Sequence, residues 1–266
     1  MDLCEQCRIY QGSSQPGCIG LGSPGGLALV ERAIRLCALP PGSRIIDLGC
    51  AGGLAVEVMA SKFALSACGA DRSWQFIHQG LGRTPGLALF QALGERLPLP
   101  DASFDAVMVD CAFNLMGAGS MLSEAQRLLR PNGRLILADV YTRQNEYTEV
   151  GPLSKTCCLA GLLTAERIGE TLREAGFKIT AWEDHGEVLK QWLANLVFSL
   201  GSLEQVYRTL LREPLPLEEF QADLRQAQLS YYLLIAEKVL TPFPPMRREE
   251  WRMMVAPTFP IMNRTN

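Results

Sequence analysis

Apolar positions along the chain alternate between short continuous runs and helically spaced stretches. Leu27–Leu39 keeps Leu29, Ala33, Leu36 and Cys37 in helical register. Ser23-Pro24 reads as its N-cap and first helical position, and Pro40-Pro41-Gly42 as its stop. Arg44–Leu48 is a short apolar run with one acid inside it, Asp47. It leads through Gly49-Cys50-Ala51-Gly52-Gly53 into a helix from Leu54 to Ser61. A second run, Ala64–Ala70, ends on Asp71, and a helix from Arg72 to Leu81 follows. Beyond the turn at 82–86, Leu87–Gln91 and Ala106–Val109 read as third and fourth strands. Leu122–Leu129 is an amphipathic helix stopped by Arg130-Pro131-Asn132-Gly133, and Arg134–Val140 is a fifth strand. After a loop over 141–161, Thr164 caps a helix that Gly176 ends, and Phe177–Trp182 is a sixth strand. Glu187–Arg225 is helical with breaks near Gly201 and at Pro214 and Pro216, and Tyr231–Val239 is a last apolar run.

The first strand, turn and helix carry the chemistry. Glycines let the backbone take positive φ and approach a ligand closely, and the helix N-terminus turns free N–H groups toward it. Such a turn alone is common. Here a second acid, Asp71, follows Asp47 by some two dozen residues, at the end of the next strand, where it can accept from a ribose diol. No G-x-G-x-x-G opens the turn between the first strand and its helix, so a nicotinamide dinucleotide fits less well. Asp110 stands at the carboxyl end of the fourth strand, the end that faces the ligand crevice in an open α/β sheet.

Asp47-Leu48-Gly49-Cys50-Ala51-Gly52-Gly53 resembles the D-x-G-x-G-x-G motif of class I S-adenosylmethionine (SAM) methyltransferases, with Ala51 in place of the middle glycine. Gly94-Glu95-Arg96-Leu97-Pro98-Leu99-Pro100-Asp101-Ala102-Ser103-Phe104-Asp105 resembles the D-A-E-x-L-P-F-x-D-x-S-F-D stretch of small-molecule methyltransferases related to the ubiquinone-pathway enzymes. The family's first acid there, which holds the adenine amino group, falls on Leu93. Glu95, or the backbone from Gly94 through Arg96 to Leu97, would have to substitute. Glu124 to Leu135 resembles the family's E-x-x-R-V-L-x-P-G-G-x-L almost residue for residue, a packing segment. The resemblance implies a Rossmann-like, seven-stranded, mostly parallel α/β sheet in the order 3-2-1-4-5-7-6, with helices on both faces. It implies a helical insert before the last strand, and the Pro24-Gly25-Gly26 turn over the SAM methionine. SAM would be held by Asp47, Gly49, Cys50, Ala51, Gly53, Asp71 and Arg72, by the 94–97 segment, and by Asp110. Asp139-Val140-Tyr141 and Cys158-Leu159-Ala160-Gly161-Leu162-Leu163 are further similar to arsenite methyltransferases, whose motif cysteine binds arsenic and falls on Cys158. The later cysteine of that family is absent.

Bulk properties narrow the partners. The 266 residues suffice for one large domain with an insert. A net charge of −3 without a basic run argues against nucleic acid. No apolar run approaches the ~20 residues of a membrane span, and Met1-Asp2-Leu3-Cys4-Glu5 lacks a signal-peptide layout, so a cytoplasmic protein is expected. Nine cysteines then point to core thiols, metal binding or redox chemistry rather than disulfides. Cys37, Cys50, Cys68 and Cys111 lie in apolar patterns. Cys4, Cys7 and Cys18 in the arm 1–23, with Cys157 or Cys158, would form a thiol set suited to zinc or a soft metalloid; the alternative is loop thiols without a shared ligand.

Three readings follow. One is a methyltransferase for a small molecule, including a soft one such as a thiol or arsenite, with Cys158 or Cys157 facing the methyl group. The second is a C- or O-methyltransferase of quinone or natural-product type. That chemistry needs a base; the chain has His78, expected at the surface, and His185, which could reach the site from a cap over 185–229. The third is a SAM- or metal-binding accessory protein without turnover. The domain is expected over 24–240, with a proline-rich tail over 241–266.

Overall fold

The computed structural model describes residues 22–144, 159, 161–210, 216–240 and 248–255. Its centre is a seven-stranded sheet in the order β3-β2-β1-β4-β5-β7-β6, the order implied by the resemblance. The strands are β1 (Arg44–Leu48), β2 (Ser66–Asp71), β3 (Leu89–Gln91), β4 (Phe104–Asp110), β5 (Leu129–Thr142), β6 (Phe177–Asp184) and β7 (Leu229–Lys238). The first five are parallel, and β7 runs antiparallel between β5 and β6.

Helices cover both faces. On one face α1 (Gly26–Cys37), α2 (Leu54–Phe63), α3 (Trp74–Arg83) and, from the insert, α8 (Leu217–Ala227) bring Leu29, Val30, Met59, Ile77 and Phe220 onto Ile45, Met108, Ile136 and Tyr231. On the other, α4 (Ala118–Leu128) and α5 (Ala165–Glu174) pack Met121, Leu122, Ile168 and Leu172 on Ile46, Val107, Leu135 and Tyr232. The insert also contributes α6 (Gly186–Leu200) and α7 (Leu203–Leu210), and α9 (Arg248–Val255) sets Trp251 edge-on to Trp182. Near-continuous apolar strands are what burial on both faces requires.

Two local readings change. The Arg130-Pro131-Asn132-Gly133 stretch does not separate helix from strand: β5 begins at Leu129 and runs through it, with Asn132 at φ 62° and a register shift against β4 between Phe104 and Ala106. Ser23 is not the cap of α1. That position is Gly25, and the Ser23 hydroxyl is used elsewhere.

The insert leaves and rejoins the sheet at one place. His185 N–H donates to Tyr231 O at 2.7 Å, and Leu229 pairs with Thr142 at the carboxyl end of β5. Asp184 collects Tyr141 OH (2.5 Å), Arg143 Nη2 (2.6 Å), Ser230 Oγ (2.9 Å) and Gly186 N–H (2.9 Å) there. Among the described residues no helix is long and apolar enough to cross a membrane.

Candidate active site

Side chains alternate across a strand, so residues of one parity share a face. Ile45, Met108, Ala138 and Leu233 belong to the core on the α1 side. Asp47, Asp110 and Tyr231 have the same parity in their strands, and Asp71 lies one residue past Ala70, which packs on the opposite face. Three carboxylates thus converge at the carboxyl ends of β1, β2 and β4. They line a cavity of ≈ 560 Å³ whose other walls are mainly apolar, including Leu27, Val30, Phe76, Leu93 and Met116.

The turn after β1 is built by backbone geometry. Gly49 N–H donates to Ala70 O at 2.8 Å, and Gly49 sits at φ 79°. A Cβ there would lie 2.7 Å from the Ala112 Cβ. Ala51, where the motif has glycine, adopts φ 47° despite its side chain. Its N–H donates to Asp71 Oδ2 at 2.8 Å, and Ser73 N–H donates to Asp71 Oδ1 at 2.8 Å. Asp71 therefore ties the glycine turn to the start of α3, whose N-cap is Ser73. Gly53, at φ 73°, is the N-cap of α2.

Burial dominates the electrostatics. It pushes the Asp47 carboxyl well above the ordinary carboxylate range, and Asp110 and Asp71 push the same way. Among the described residues Asp47 Oδ1 has no hydrogen-bond partner. Burial also raises Asp71, against the Ser73 and Ala51 N–H groups that favour its ionised form. Asp110 is raised by burial too, opposed by Ser23 Oγ on Oδ2 (2.6 Å) and Tyr231 OH on Oδ1 (2.9 Å).

The wall beyond β3 is braced from below. Leu97 N–H donates to Glu124 Oε1 at 2.7 Å, and Arg127 donates to Leu97 O (3.1 Å), Leu99 O (2.6 Å) and Asp101 (2.7 Å). The Glu124-x-x-Arg127 pair, expected only to pack, holds this segment in place.

Of the residues expected to hold SAM, Asp47, Gly49, Cys50, Ala51, Asp71 and Arg72 line the cavity, as do Gly94, Glu95 and Asp110. Gly53 supports the turn from behind. Leu97 is buried in the core and Arg96 is exposed, so neither side chain lines it. Leu93, at the position of the family's acid, lines the mouth and is 55% exposed. Gly26 of the Pro24-Gly25-Gly26 turn and Leu27 after it border the cavity. Cys50 is buried, and burial pushes its thiol far up.

His185 does not line the cavity. Its ring lies 3.1 Å from Glu183 Oε2, and Arg32 grips the same Glu183. His78 is exposed, 5.8 Å from the Trp74 ring. The insert starts at the correct end of the sheet, and Trp192 Nε1 donates to Gly22 O at 3.2 Å, but no described residue of 185–229 lines the cavity. Cys4, Cys7, Cys18, Cys157 and Cys158 lie outside the described residues. Sequence reasoning missed Ser23, Phe76 and Met116 in the walls. Phe76 follows from the helical face of α3; the Ser23–Asp110 bond, spanning 87 residues, has no local signal.

Residues 46–137 match a family model described as a methyltransferase domain. Demethylmenaquinone methyltransferase of Beutenbergia cavernae is 35% identical over 103 residues, 38% of this chain and 42% of that protein. Arsenite methyltransferase of Halobacterium salinarum is 26% identical over 190 residues, 66% of this chain and 46% of that protein. The chain thus spans less than half the length of these two relatives. Phosphoethanolamine N-methyltransferase 2 of Haemonchus contortus, solved in complex with S-adenosyl-L-methionine, superposes with a TM-score of 0.64 at 17% identity, covering 89% of this chain and 56% of that one. The turn after β1 and the sheet order are in keeping with the match of residues 46–137 to a methyltransferase domain and with the fold of the solved methyltransferase.

Proposed function

We propose that this chain transfers a methyl group from SAM to a small-molecule acceptor. The observation that carries the reading is the convergence of Asp47, Asp71 and Asp110 on one mostly apolar cavity behind a glycine turn. Carboxylates desolvated together raise one another's proton affinity, and a ligand that brings positive charge offsets that cost. SAM carries an ammonium and a sulfonium, and Asp47 Oδ1, without a hydrogen-bond partner among the described residues, can accept from the ammonium. Asp71 and the turn over Gly49–Ala51 would hold the ribose and methionine parts, with Gly94 and Glu95 beside the adenine. When bound, SAM supplies an activated methyl carbon. The cavity holds its partner in line at near-attack distance, a positional effect that lowers the barrier.

A second reading, a soft acceptor such as a thiol or arsenite, is favoured by the Cys158-Leu159-Ala160-Gly161 match and by the arsenite methyltransferase relative. A C- or O-acceptor of quinone type is favoured by the demethylmenaquinone relative.

The test is calorimetric titration with SAM and with S-adenosylhomocysteine, followed by transfer of labelled methyl to arsenite, thiols and phenols. Absence of SAM binding refutes the reading. Binding without turnover of any acceptor leaves the accessory-protein alternative in its place.

A further inference from the structure

Asp110 differs from the other carboxylates of the cavity in its partners. Asp71 has both oxygens on backbone N–H groups and so holds the turn. Asp47 is 3% exposed. Asp110 is only partly buried, lines the cavity, and accepts from two hydroxyls, Ser23 Oγ and Tyr231 OH. Each carboxylate oxygen has more than one lone-pair site, so a third donor can join them. Its two hydroxyl partners come from outside the glycine turn. Ser23 precedes α1, and Tyr231 belongs to β7 and reaches past its neighbour β5 to β4. The turn over β1 is tied to β2. Among the described residues no histidine and no lysine lines the cavity.

We propose that Asp110 is a catalytic carboxylate facing the methyl acceptor, with Tyr231 and Ser23 as its positioning residues. The inference rests on the methyltransferase reading and names the acceptor class: a small molecule with a weakly acidic O–H or N–H. A lone pair on the acceptor heteroatom forms the bond to the methyl carbon as the carbon–sulfur bond breaks, and that electron pair stays on sulfur. The acceptor's proton passes to the Asp110 carboxylate and leaves to water when the product departs.

Asp110 must be ionised to take the proton, so turnover rises with pH through its raised value. The Tyr231 hydroxyl favours the ionised form. Without it the ionised form is reached at higher pH.

The experiment uses the full chain with saturating SAM and two probes: catechol, whose hydroxyl stays protonated at neutral pH, and 4-nitrothiophenol, already ionised there. Asp110→Asn is expected to lower catechol turnover at least ~100-fold, the usual contribution of a general base, with a much smaller fall for the thiolate. Tyr231→Phe, a milder change, is expected to move the acidic limb of kcat for catechol to higher pH. Equal losses with both probes, or an acidic limb that stays in place in Tyr231→Phe, overturn the assignment. Wild-type protein that binds SAM but methylates neither probe overturns it as well and leaves the SAM site standing. Wild-type protein that binds no SAM removes the underlying reading.

Discussion

Gly80 gives the sharpest test of how the glycine turn after β1 is held. It lies in α3, where alanine is the better helix former by about 0.8–1 kcal/mol. Its Cα also faces the turn. A Cβ at this position would meet Gly52 O at 2.4 Å, Leu89 Cδ1 at 2.7 Å and Gly52 C at 2.9 Å. Restoring ordinary contact at ~3.5 Å means moving the Gly52 carbonyl by about 1 Å. Overpacking of that kind costs roughly 1–3 kcal/mol, which exceeds the helical gain, so Gly80→Ala is expected to be destabilising by about 1 kcal/mol net. For a chain of this size that is a fall in Tm of roughly 2–4 °C. Gly52 lines the cavity, and its carbonyl accepts from Arg83 Nη2 at 2.7 Å. The displaced turn should weaken SAM about tenfold, or ~1.4 kcal/mol. The same helix supplies its own control: a Cβ at Gly82 meets nothing within 4 Å. Gly82→Ala should keep SAM affinity and raise Tm slightly. Melting curves and SAM titrations on both variants decide, and a Gly80→Ala protein indistinguishable from Gly82→Ala would refute the proposed close packing.

Asp71→Ala strips the partner from the Ala51 and Ser73 N–H groups and should cost roughly 1.5–3 kcal/mol of SAM binding, read by calorimetry; unchanged affinity would show that the turn stands without its carboxylate. Tyr232→Phe removes a buried hydroxyl with no hydrogen-bond partner among the described residues, so the variant should be as stable as wild type or up to about 1 kcal/mol more so in urea melts. Asp139 is raised from 3.8 to about 7, chiefly by burial. The folded state therefore holds a proton that the unfolded state has released, and stability should fall as pH rises between those two values. Asp139→Asn should flatten that part of the stability–pH curve, measured by melting at pH 5 and pH 7.5.

The site was legible where local pattern carries the information. Asp47, Gly49 and Asp71 announce themselves because a strand must end, a turn must take positive φ, and an acid must stand where the next strand ends. The sheet order came from the resemblance. Other features rest on contacts far apart in the chain. Ser23 looks like a helix cap because serine before proline satisfies local geometry, yet its hydroxyl finds Asp110. His185 looked eligible as a base because histidine titrates near neutrality, but Glu183, itself gripped by Arg32, holds its ring outside the cavity. The Pro131-Asn132-Gly133 triplet has turn composition, and β5 absorbs it through an irregularity against β4 that only the pairing reveals. Glu124 and Arg127 sit on a helix whose periodicity says core, while their charged groups reach the 97–101 segment.

The shared doorway of the 185–229 insert has an evolutionary reading. Its first N–H bonds to Tyr231, and its last residues lead into Leu229, two positions earlier on the same strand. A segment whose ends are already adjacent can lengthen at small entropic cost, since each doubling of a flexible loop adds only about 0.6 kcal/mol. Asp184 pins that doorway, and the turn over β1 lies on the far side of β4 and β5 from it. Descendants of this architecture could therefore lengthen or shorten the helical segment ahead of α8 while the turn over β1 is inherited unchanged.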